Sequence, residues 1–197
     1  MKRREIKINV PIMAFVVSVV VIMTLVVSIT VYWLTSPCAN SNKLDLHITR
    51  ENNGFGGVQL NAALKNNDNR TVRLVLPGDG SESGWRTPII KWKIQELNTG
   101  RIYFASKFPG CGNINALKWG EVFHLSPNET RDFTRHFFDP ILFQPGDYKI
   151  SLVYINKPTL AWGGVPLGFH NSIEMLFVRY STECEVTSNE IIISVAK

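Results

Sequence analysis

A long uncharged segment near the start of the chain constrains its fold most. From Ile8 to Asn42 there is no Asp, Glu, Lys or Arg, and nearly every residue from Val10 to Leu34 is apolar. As an α-helix, this stretch would extend about 37 Å, whereas the hydrocarbon core of a bilayer is about 30 Å thick. The run is long enough to span with some tilt, and too long for the apolar region of a cleaved signal peptide. We therefore predict a transmembrane helix over residues 9–35, with the lipid bilayer as its partner.

Four hydroxyl side chains lie inside this uncharged run, at Ser18, Thr24, Ser28 and Thr30. Each can donate a hydrogen bond to the backbone carbonyl one helical turn earlier, so none requires water. The hydroxyls are therefore compatible with a helix surrounded by lipid.

Charge on either side of the run predicts its orientation. Four basic residues and one acidic residue precede it, and residues 36–42 carry no charge. Positive charge is retained on the cytoplasmic side of a membrane, so we expect a cytoplasmic N-terminus and an extracytoplasmic C-terminal domain, periplasmic or at the cell surface. A cleaved signal sequence is the alternative, which Pro37 opposes. The predicted cytoplasmic basic tail, transmembrane helix, juxtamembrane linker and folded domain cover residues 1–8, 9–35, 36–43 and 44–197.

The charge balance argues against a nucleic-acid partner. The whole chain has 21 Lys and Arg, 16 Asp and Glu and a net charge of +5. Because four basic residues and one acidic residue precede the apolar run, residues 43–197 have 17 basic and 15 acidic residues. A nucleic-acid-binding domain would instead cluster an excess of basic residues on one face.

Beyond Asn42 the pattern becomes one of alternating apolar and polar residues, which is typical of strands with one buried face. The alternation is clearest in residues 44–48, 58–64, 72–76, 90–94, 148–154 and 191–195. The turn Ser126-Pro127-Asn128-Glu129 is expected to join 117–125 and 130–138 as a hairpin. Many short strands with Gly, Pro and Asn turns, and no convincing amphipathic helix, predict an all-β antiparallel sandwich.

Particular residues carry a resemblance to the immunoglobulin and fibronectin III-like sandwiches. Trp92 lies within a central strand, and the segment Pro145-Gly146-Asp147-Tyr148-Lys149-Ile150 resembles their tyrosine corner. With the segments Leu125–Thr130 and Ser188–Ile191, this pattern is similar to bacterial envelope domains of this fold, and the domain of the intracellular proteinase inhibitor of bacilli is one relative. The resemblance implies a buried Trp92 and a sandwich over about residues 43–197. It also implies that no inter-sheet disulfide is present, because Ile150 occupies the second cysteine position.

Three cysteines, at positions 38, 111 and 184, fall on the side predicted to cross the membrane, where disulfides persist. Three pairings are available. We favour Cys111–Cys184, with Cys38 free or joining two chains, and the alternative is that all three are reduced.

No pattern predicts catalysis. The four histidines, at positions 47, 124, 136 and 170, are dispersed and have no metal-ligand spacing with another His or Cys. The segment Gly80–Gly84 has Glu82 where a nucleophile elbow needs serine, and is interpreted as a flexible loop. The sequence therefore predicts no catalytic, cofactor-binding or metal-binding residue, and no enzyme.

The segment Pro158–His170 is long for a hairpin connection and unusually apolar. Long loops are often functional, so Trp162, Leu167 and Phe169 are candidate interaction residues, for a protein partner or the bilayer. In the alternative interpretation the segment folds back over the open end of the sandwich.

These observations predict a single-pass, membrane-anchored, non-catalytic domain that binds or scaffolds a protein partner in the cell envelope. The alternative is a proteinase-inhibitor-like domain that acts through an exposed loop. Asn69 and Asn128 lie in Asn-x-Thr sequons, which matter only where the source glycosylates secreted proteins.

Overall fold

The computed structural model divides the chain into two compact units, Met1–Pro37 and Cys38–Lys197. The residues that the structure describes are 10–35, 43–52, 58–78, 80–82, 84, 86–105, 120–138, 143–158, 161–162, 165–166 and 177–196. Within these ranges only the backbone is described for 10–13, 16, 29–35, 52, 105, 133–138, 161–162 and 165–166.

The first unit contains one helix, α1, which covers Val10–Thr35. All of its described side chains, at 14–15 and 17–28, are exposed. Two of the predicted hydroxyl contacts are confirmed, because Ser18 donates to the carbonyl of Ala14 at 2.9 Å and Thr24 to that of Val20 at 2.8 Å. Among the described residues, no helix combines the length and the hydropathy needed to cross a membrane.

The second unit is an all-β domain built from antiparallel strands, as the alternating pattern predicted. Its strands are β1 (Leu44–Asn52), β2 (Val58–Asn66), β3 (Val72–Val75), β4 (Ile89–Glu96), β5 (Ile102–Ala105), β6 (Val122–Leu125), β7 (Thr130–Phe138), β8 (Gly146–Asn156), β9 (Ala161–Trp162), β10 (Val165–Pro166), β11 (Cys184–Thr187) and β12 (Ile191–Val195).

The described strands form two larger sheets and two short pairs. One larger sheet has the order β1-β2-β7, and the other has the order β11-β8-β4-β5, with β12 also paired to β8. The short pairs are β3 with β6 and β9 with β10. Every pairing is antiparallel, and β7 has a register shift opposite Ala62 and Ala63.

One hydrophobic core receives the inward side chains of both larger sheets and of the β3–β6 pair. On β4 the inward residues are Ile90, Trp92 and Ile94, and on β8 they run from Tyr148 to Tyr154 at every second position. Trp92 has no exposed surface, as the resemblance implied. The core therefore follows the alternation that the sequence shows, because successive strand side chains point to opposite faces.

The predicted hairpin of 117–125 with 130–138 is wrong. β6 and β7 bound the expected turn, but β6 pairs with β3 and β7 pairs with β2. The cause lies in Asn66, at the end of β2. Its N–H donates to the Glu129 carbonyl, its carbonyl accepts from the N–H of Asn128, and its side chain donates to the Leu125 carbonyl. These bonds hold the turn against β2, so the chain passes from the β3–β6 pair to the β1-β2-β7 sheet.

Candidate functional site

The end of the five-stranded sheet at β5 carries the most exposed large apolar side chain described in the β-domain, that of Phe104, together with the exposed Ile102. The exposed fraction is 63% for Phe104 and 46% for Ile102. In the described part of the chain β5 pairs only with β4, so one long side of β5 has no described strand beside it. We refer to Ile102, Phe104 and this open side of the strand as the β5 edge.

The turn before β5 fixes which residues face the open side. The N–H of Glu96 donates to the carbonyl of Arg101 at 2.9 Å, and the N–H of Gly100 donates to the carbonyl of Glu96 at 2.8 Å. Gly100 has a φ of 70°, a conformation that glycine adopts without steric cost. The turn therefore closes with Glu96 opposite Arg101 as a hydrogen-bonded pair.

Hydrogen-bonded and non-hydrogen-bonded pairs alternate along an antiparallel ladder. Since Glu96 and Arg101 form a bonded pair, the pairs Gln95–Ile102 and Lys93–Phe104 are non-bonded. On the other side of β4, the N–H of Leu97 donates to the carbonyl of Asp147, which agrees with this alternation. The backbone N–H and C=O groups of Ile102 and Phe104 therefore point away from β4, toward the open side.

Basic side chains flank the β5 edge. Lys93 lies opposite Phe104 on the outer face, Lys91 follows it on the same face, and Arg101 immediately precedes β5. The described salt bridges use other cations, at positions 43, 70, 86 and 149. The nearest acidic residue of the turn, Glu96, accepts a hydrogen bond from the Thr99 hydroxyl at 2.6 Å.

The inner side of β5 packs against aromatic rings at the border of the core. The guanidinium of Arg101 lies 4.9 Å from the centre of the Tyr103 ring, a cation–π distance. Tyr103 meets Phe143 edge-on at 6.2 Å between ring centres, and Phe143 meets Tyr148 at 5.2 Å. This chain of rings connects the edge strand to the core, and its outer end contacts the Arg101 guanidinium.

The segment predicted to bind a partner is only partly described. Trp162 lies in β9, which pairs with β10, so a short antiparallel hairpin replaces the expected loop at residues 161–162 and 165–166. The side chain of Trp162 is outside the described residues, and so are Leu167 and Phe169. Their role in binding stays a prediction.

Cys184 is buried and is a free thiol in the structure. Burial, as the largest cause, raises the pKa of this thiol to about 12. Cys111, the favoured disulfide partner, and Cys38 lie outside the described residues. The disulfide between Cys111 and Cys184 stays a prediction, and the free Cys184 thiol does not support it.

One histidine is held in a local polar network. Arg73, on β3, donates from Nε to Nε2 of His124, on β6, at 3.2 Å. Burial and the charge of Arg73 both lower the pKa of His124. Thr182 binds the backbone of Arg73. Its N–H donates to the Arg73 carbonyl, and its hydroxyl accepts from the Arg73 N–H. The network links three chain segments.

The described residues of the segment interpreted as a flexible loop range from the buried Ser81 to the exposed Gly84. Ser81 is fully buried, and its hydroxyl accepts a hydrogen bond from the N–H of Gly78 at 3.0 Å. Arg86 is also buried, donates to the Leu76 carbonyl at 3.3 Å and forms a salt bridge with Glu121 at 3.7 Å. These contacts give Ser81 a structural role rather than that of an exposed nucleophile.

Within the described ranges, no cluster of three or more His, Cys, Asp or Glu side chains could hold a metal ion. His47 is exposed on β1, His124 is in the polar network, and the side chains of His136 and His170 are not described. The β5 edge combines exposed apolar side chains, backbone groups with no described strand beside them, and nearby cations that appear in none of the described salt bridges.

The sequence alone gave no role to Ile102, Tyr103 and Phe104, because three consecutive large side chains do not show which face each occupies. The turn Asn98-Thr99-Gly100 is the signal that could have shown it. A four-residue loop closing at Glu96 and Arg101 sets the register and places Tyr103 inside. Ile102 and Phe104 then face outward.

Comparisons with known proteins give no family. No family model matches the chain, and no curated protein matches it. Among solved structures, the Northeast Structural Genomics Consortium target SoR45, solved by X-ray, matches with a TM-score of 0.37 and 11% identity. The match covers 81% of this chain and 90% of that one.

Proposed function

We propose that the chain is a membrane-anchored, non-catalytic binding module. In this proposal α1 is a signal-anchor helix in the bilayer, and the β-domain is an immunoglobulin-like sandwich on the extracytoplasmic side. The domain binds a protein partner in the cell envelope.

The observation that carries the proposal is the uncharged apolar character of α1. Phe15 is 70% exposed, and every other described side chain of α1 is also exposed, among them a continuous series of Val, Ile, Met and Leu from position 19 to 27 interrupted by one threonine. Exposed apolar surface on this scale is unfavourable in water, at about 25 cal/mol per Å². Lipid removes this cost, and the hydroxyl bonds of Ser18 and Thr24 leave those polar groups satisfied without water.

Basic residues before α1 support the orientation. Lys2, Arg3, Arg4 and Lys7 precede it, and residues 36–42 are uncharged. The positive-inside tendency then retains the N-terminus in the cytoplasm and exports the β-domain.

The order of the strands supports an immunoglobulin-like sandwich. In such domains strands A, B and E share one sheet, and strands G, F, C and C′ share the other. The sheets β1-β2-β7 and β11-β8-β4-β5 match these two orders if β4 is strand C and β8 is strand F. Trp92 is then the buried tryptophan of strand C.

A second feature of that fold is the tyrosine corner, in which a tyrosine hydroxyl bonds to backbone a few residues upstream. The Tyr148 hydroxyl, on β8, donates to the carbonyl of Gln144 at 2.8 Å. The β3–β6 pair and the β9–β10 hairpin are additions to the basic pattern.

Fractionation of membranes tests the anchoring. We expect the full chain to remain in the pellet after alkaline carbonate extraction. The double variant Val20→Asp, Met23→Asp places two charges in α1, each costing about 3 kcal/mol at the centre of a span, and should release the chain. The control variant Val20→Leu, Met23→Leu should stay in the pellet. Release of the wild-type chain, or retention of the charged variant, would contradict the proposal.

A further inference from the structure

We propose that the β5 edge binds an extended segment of a partner protein as an added antiparallel or parallel strand. The segment places apolar side chains beside Ile102 and Phe104 and acidic side chains at the alternate positions. This inference rests on the proposed binding role and specifies the chemistry of the partner.

The backbone of β5 carries hydrogen-bonding groups that an added strand can use. The N–H and C=O groups of Ile102 and Phe104 point away from β4, and no described strand pairs with them. An added strand would satisfy both pairs of groups. Main-chain bonds of this kind give affinity for an extended segment, while alternate side chains give specificity.

The side chains of Ile102 and Phe104 are exposed next to these backbone groups. Alternate residues of a strand face the same way, so Ile102 and Phe104 form one apolar strip on the outer face. Both are large and more than two-fifths exposed, at the position where edge strands usually carry charge or proline to prevent pairing. An added strand with apolar residues on its outer face would cover this strip.

The basic residues near the β5 edge indicate which kind of segment binds there. The guanidinium of Arg101 lies over the Tyr103 ring on the inner face of the strand, the face that acidic side chains at the alternate positions of an added strand would occupy. Lys91 and Lys93 lie on the outer face nearby and add to the positive charge around the edge. None of the three appears in a described salt bridge. A second copy of this chain would bring the same cations together, and like charges placed face to face are unfavourable. An acidic segment gains from the same charges, so it is favoured as the occupant.

The opposite end of the sheet provides an internal comparison. Ile192, on β12, is 57% exposed, and it lies opposite Lys149, at a non-bonded position of the β8–β12 ladder. Its backbone N–H therefore also points away from the sheet. Here, however, the single exposed apolar residue is followed by Ser194, and Lys149 is already paired with Glu190 at 3.2 Å. Ile192 thus has a similar backbone geometry without the free cations.

The test measures binding of a labelled, end-blocked peptide, Thr-Val-Glu-Val-Glu-Val-Thr, to the full chain in detergent micelles. The variant Phe104→Pro removes an N–H on the open side and leaves the ladder with β4 intact, because proline is tolerated at such positions. The matched control is Ile192→Pro at the other end of the sheet. A second peptide with Lys in place of both Glu residues tests the charge requirement.

We expect Phe104→Pro to weaken binding of the Glu peptide by at least about tenfold and Ile192→Pro to change it by less than about twofold, since main-chain pairing and the local charge differ between the two sites. The Lys peptide should bind at least about tenfold more weakly than the Glu peptide. The variant Arg101→Glu keeps the backbone and the apolar strip but reverses one charge. It should therefore reduce the difference in affinity between the Glu peptide and the Lys peptide. Thermal unfolding of each variant shows whether it is folded.

Absence of Glu-peptide binding to the folded wild-type chain would overturn the inference, as would equal binding of the two peptides or equal effects of the two proline variants. A wild-type dimer in sedimentation that Phe104→Pro dissociates, with no peptide bound, would assign the edge to a second copy instead. Because the assay is done in detergent, its failure leaves the anchoring proposal intact, and failure of carbonate retention leaves this inference intact.

Discussion

The guanidinium of Arg86 lies against the backbone of Gly78, where a β-carbon would be 2.8 Å from Nη1 and 3.0 Å from Cζ. Arg86 is buried and is held by the Leu76 carbonyl and Glu121, so it has little freedom to move. The close approach requires a residue without a side chain.

Gly78→Ala should therefore lower the free energy of unfolding by about 1–3 kcal/mol, the usual cost of overpacking an interior site. Urea denaturation measures the change. In a double-mutant cycle with Arg86→Ala the cost of Gly78→Ala should shrink, because the clashing group is gone. An unchanged cost in that background would show that the contact with Arg86 is not the cause.

Three tyrosines should respond differently to loss of the hydroxyl. Tyr154 is fully buried and donates to the Val75 carbonyl at 2.9 Å, so Tyr154→Phe should cost about 1–3 kcal/mol because that carbonyl loses its donor. Tyr148→Phe removes the bond to Gln144 and should cost about 0.5–1.5 kcal/mol. Tyr180→Phe, at an exposed site, should be nearly neutral. Thermal denaturation gives the order, and a Tyr180 effect as large as that of Tyr154 would contradict it.

The stability should depend on pH through His124. Burial and the charge of Arg73 lower the pKa of this histidine in the folded chain, so the unfolded chain binds the proton more readily. The contribution of His124 is therefore complete above pH about 6.5 and is lost as the pH falls below that value toward the folded pKa. Protonation also removes the lone pair on Nε2 that accepts from Arg73. The urea midpoint of the wild type should be lower at pH 5 than at pH 7.5. In His124→Gln the decrease over the same pH range should be smaller, and an equal decrease in both proteins would be evidence against this role of His124.

The Cys184 thiol should resist modification in the folded chain. Its pKa of about 12, raised mainly by burial, leaves almost no thiolate at pH 8, and thiolate is the reactive form. Alkylation with iodoacetamide at pH 8, followed by mass spectrometry of the peptide that contains Cys184, should show slow labelling in buffer and rapid labelling in urea. Non-reducing peptide maps would also detect a Cys111–Cys184 disulfide, which would block labelling in both conditions.

Local patterns in the sequence were sufficient for most of the longer strands and for much of the core, but they did not predict β9, β10 or β11. Ile90, Trp92 and Ile94 alternate with polar neighbours, and all three are buried as that alternation requires. The pairing of β6 could not be predicted in the same way. It depends on Asn66, whose amide bonds to the Leu125 carbonyl 59 positions away, and the sequence contains no local sign of this contact.

The candidate site was the least predictable part. The sequence favoured the apolar segment 158–170 as the interaction site, because long apolar loops are often functional. It gave no role to Ile102 and Phe104. The turn Asn98-Thr99-Gly100 could have indicated that Ile102 and Phe104 face outward. That β5 ends a described sheet depends on which strands are neighbours, so this fact follows only from the assembled sheets.

The central claim is that α1 holds the β-domain on the far side of a membrane, and protease protection tests it most directly. Intact cells or right-side-out vesicles with the full chain are treated with a non-specific protease, with and without detergent. We predict that the β-domain is accessible to protease without detergent, whereas the short N-terminal tail becomes accessible only after the membrane is dissolved. A β-domain that is protected until detergent is added, or a chain recovered in the soluble fraction, would contradict the account.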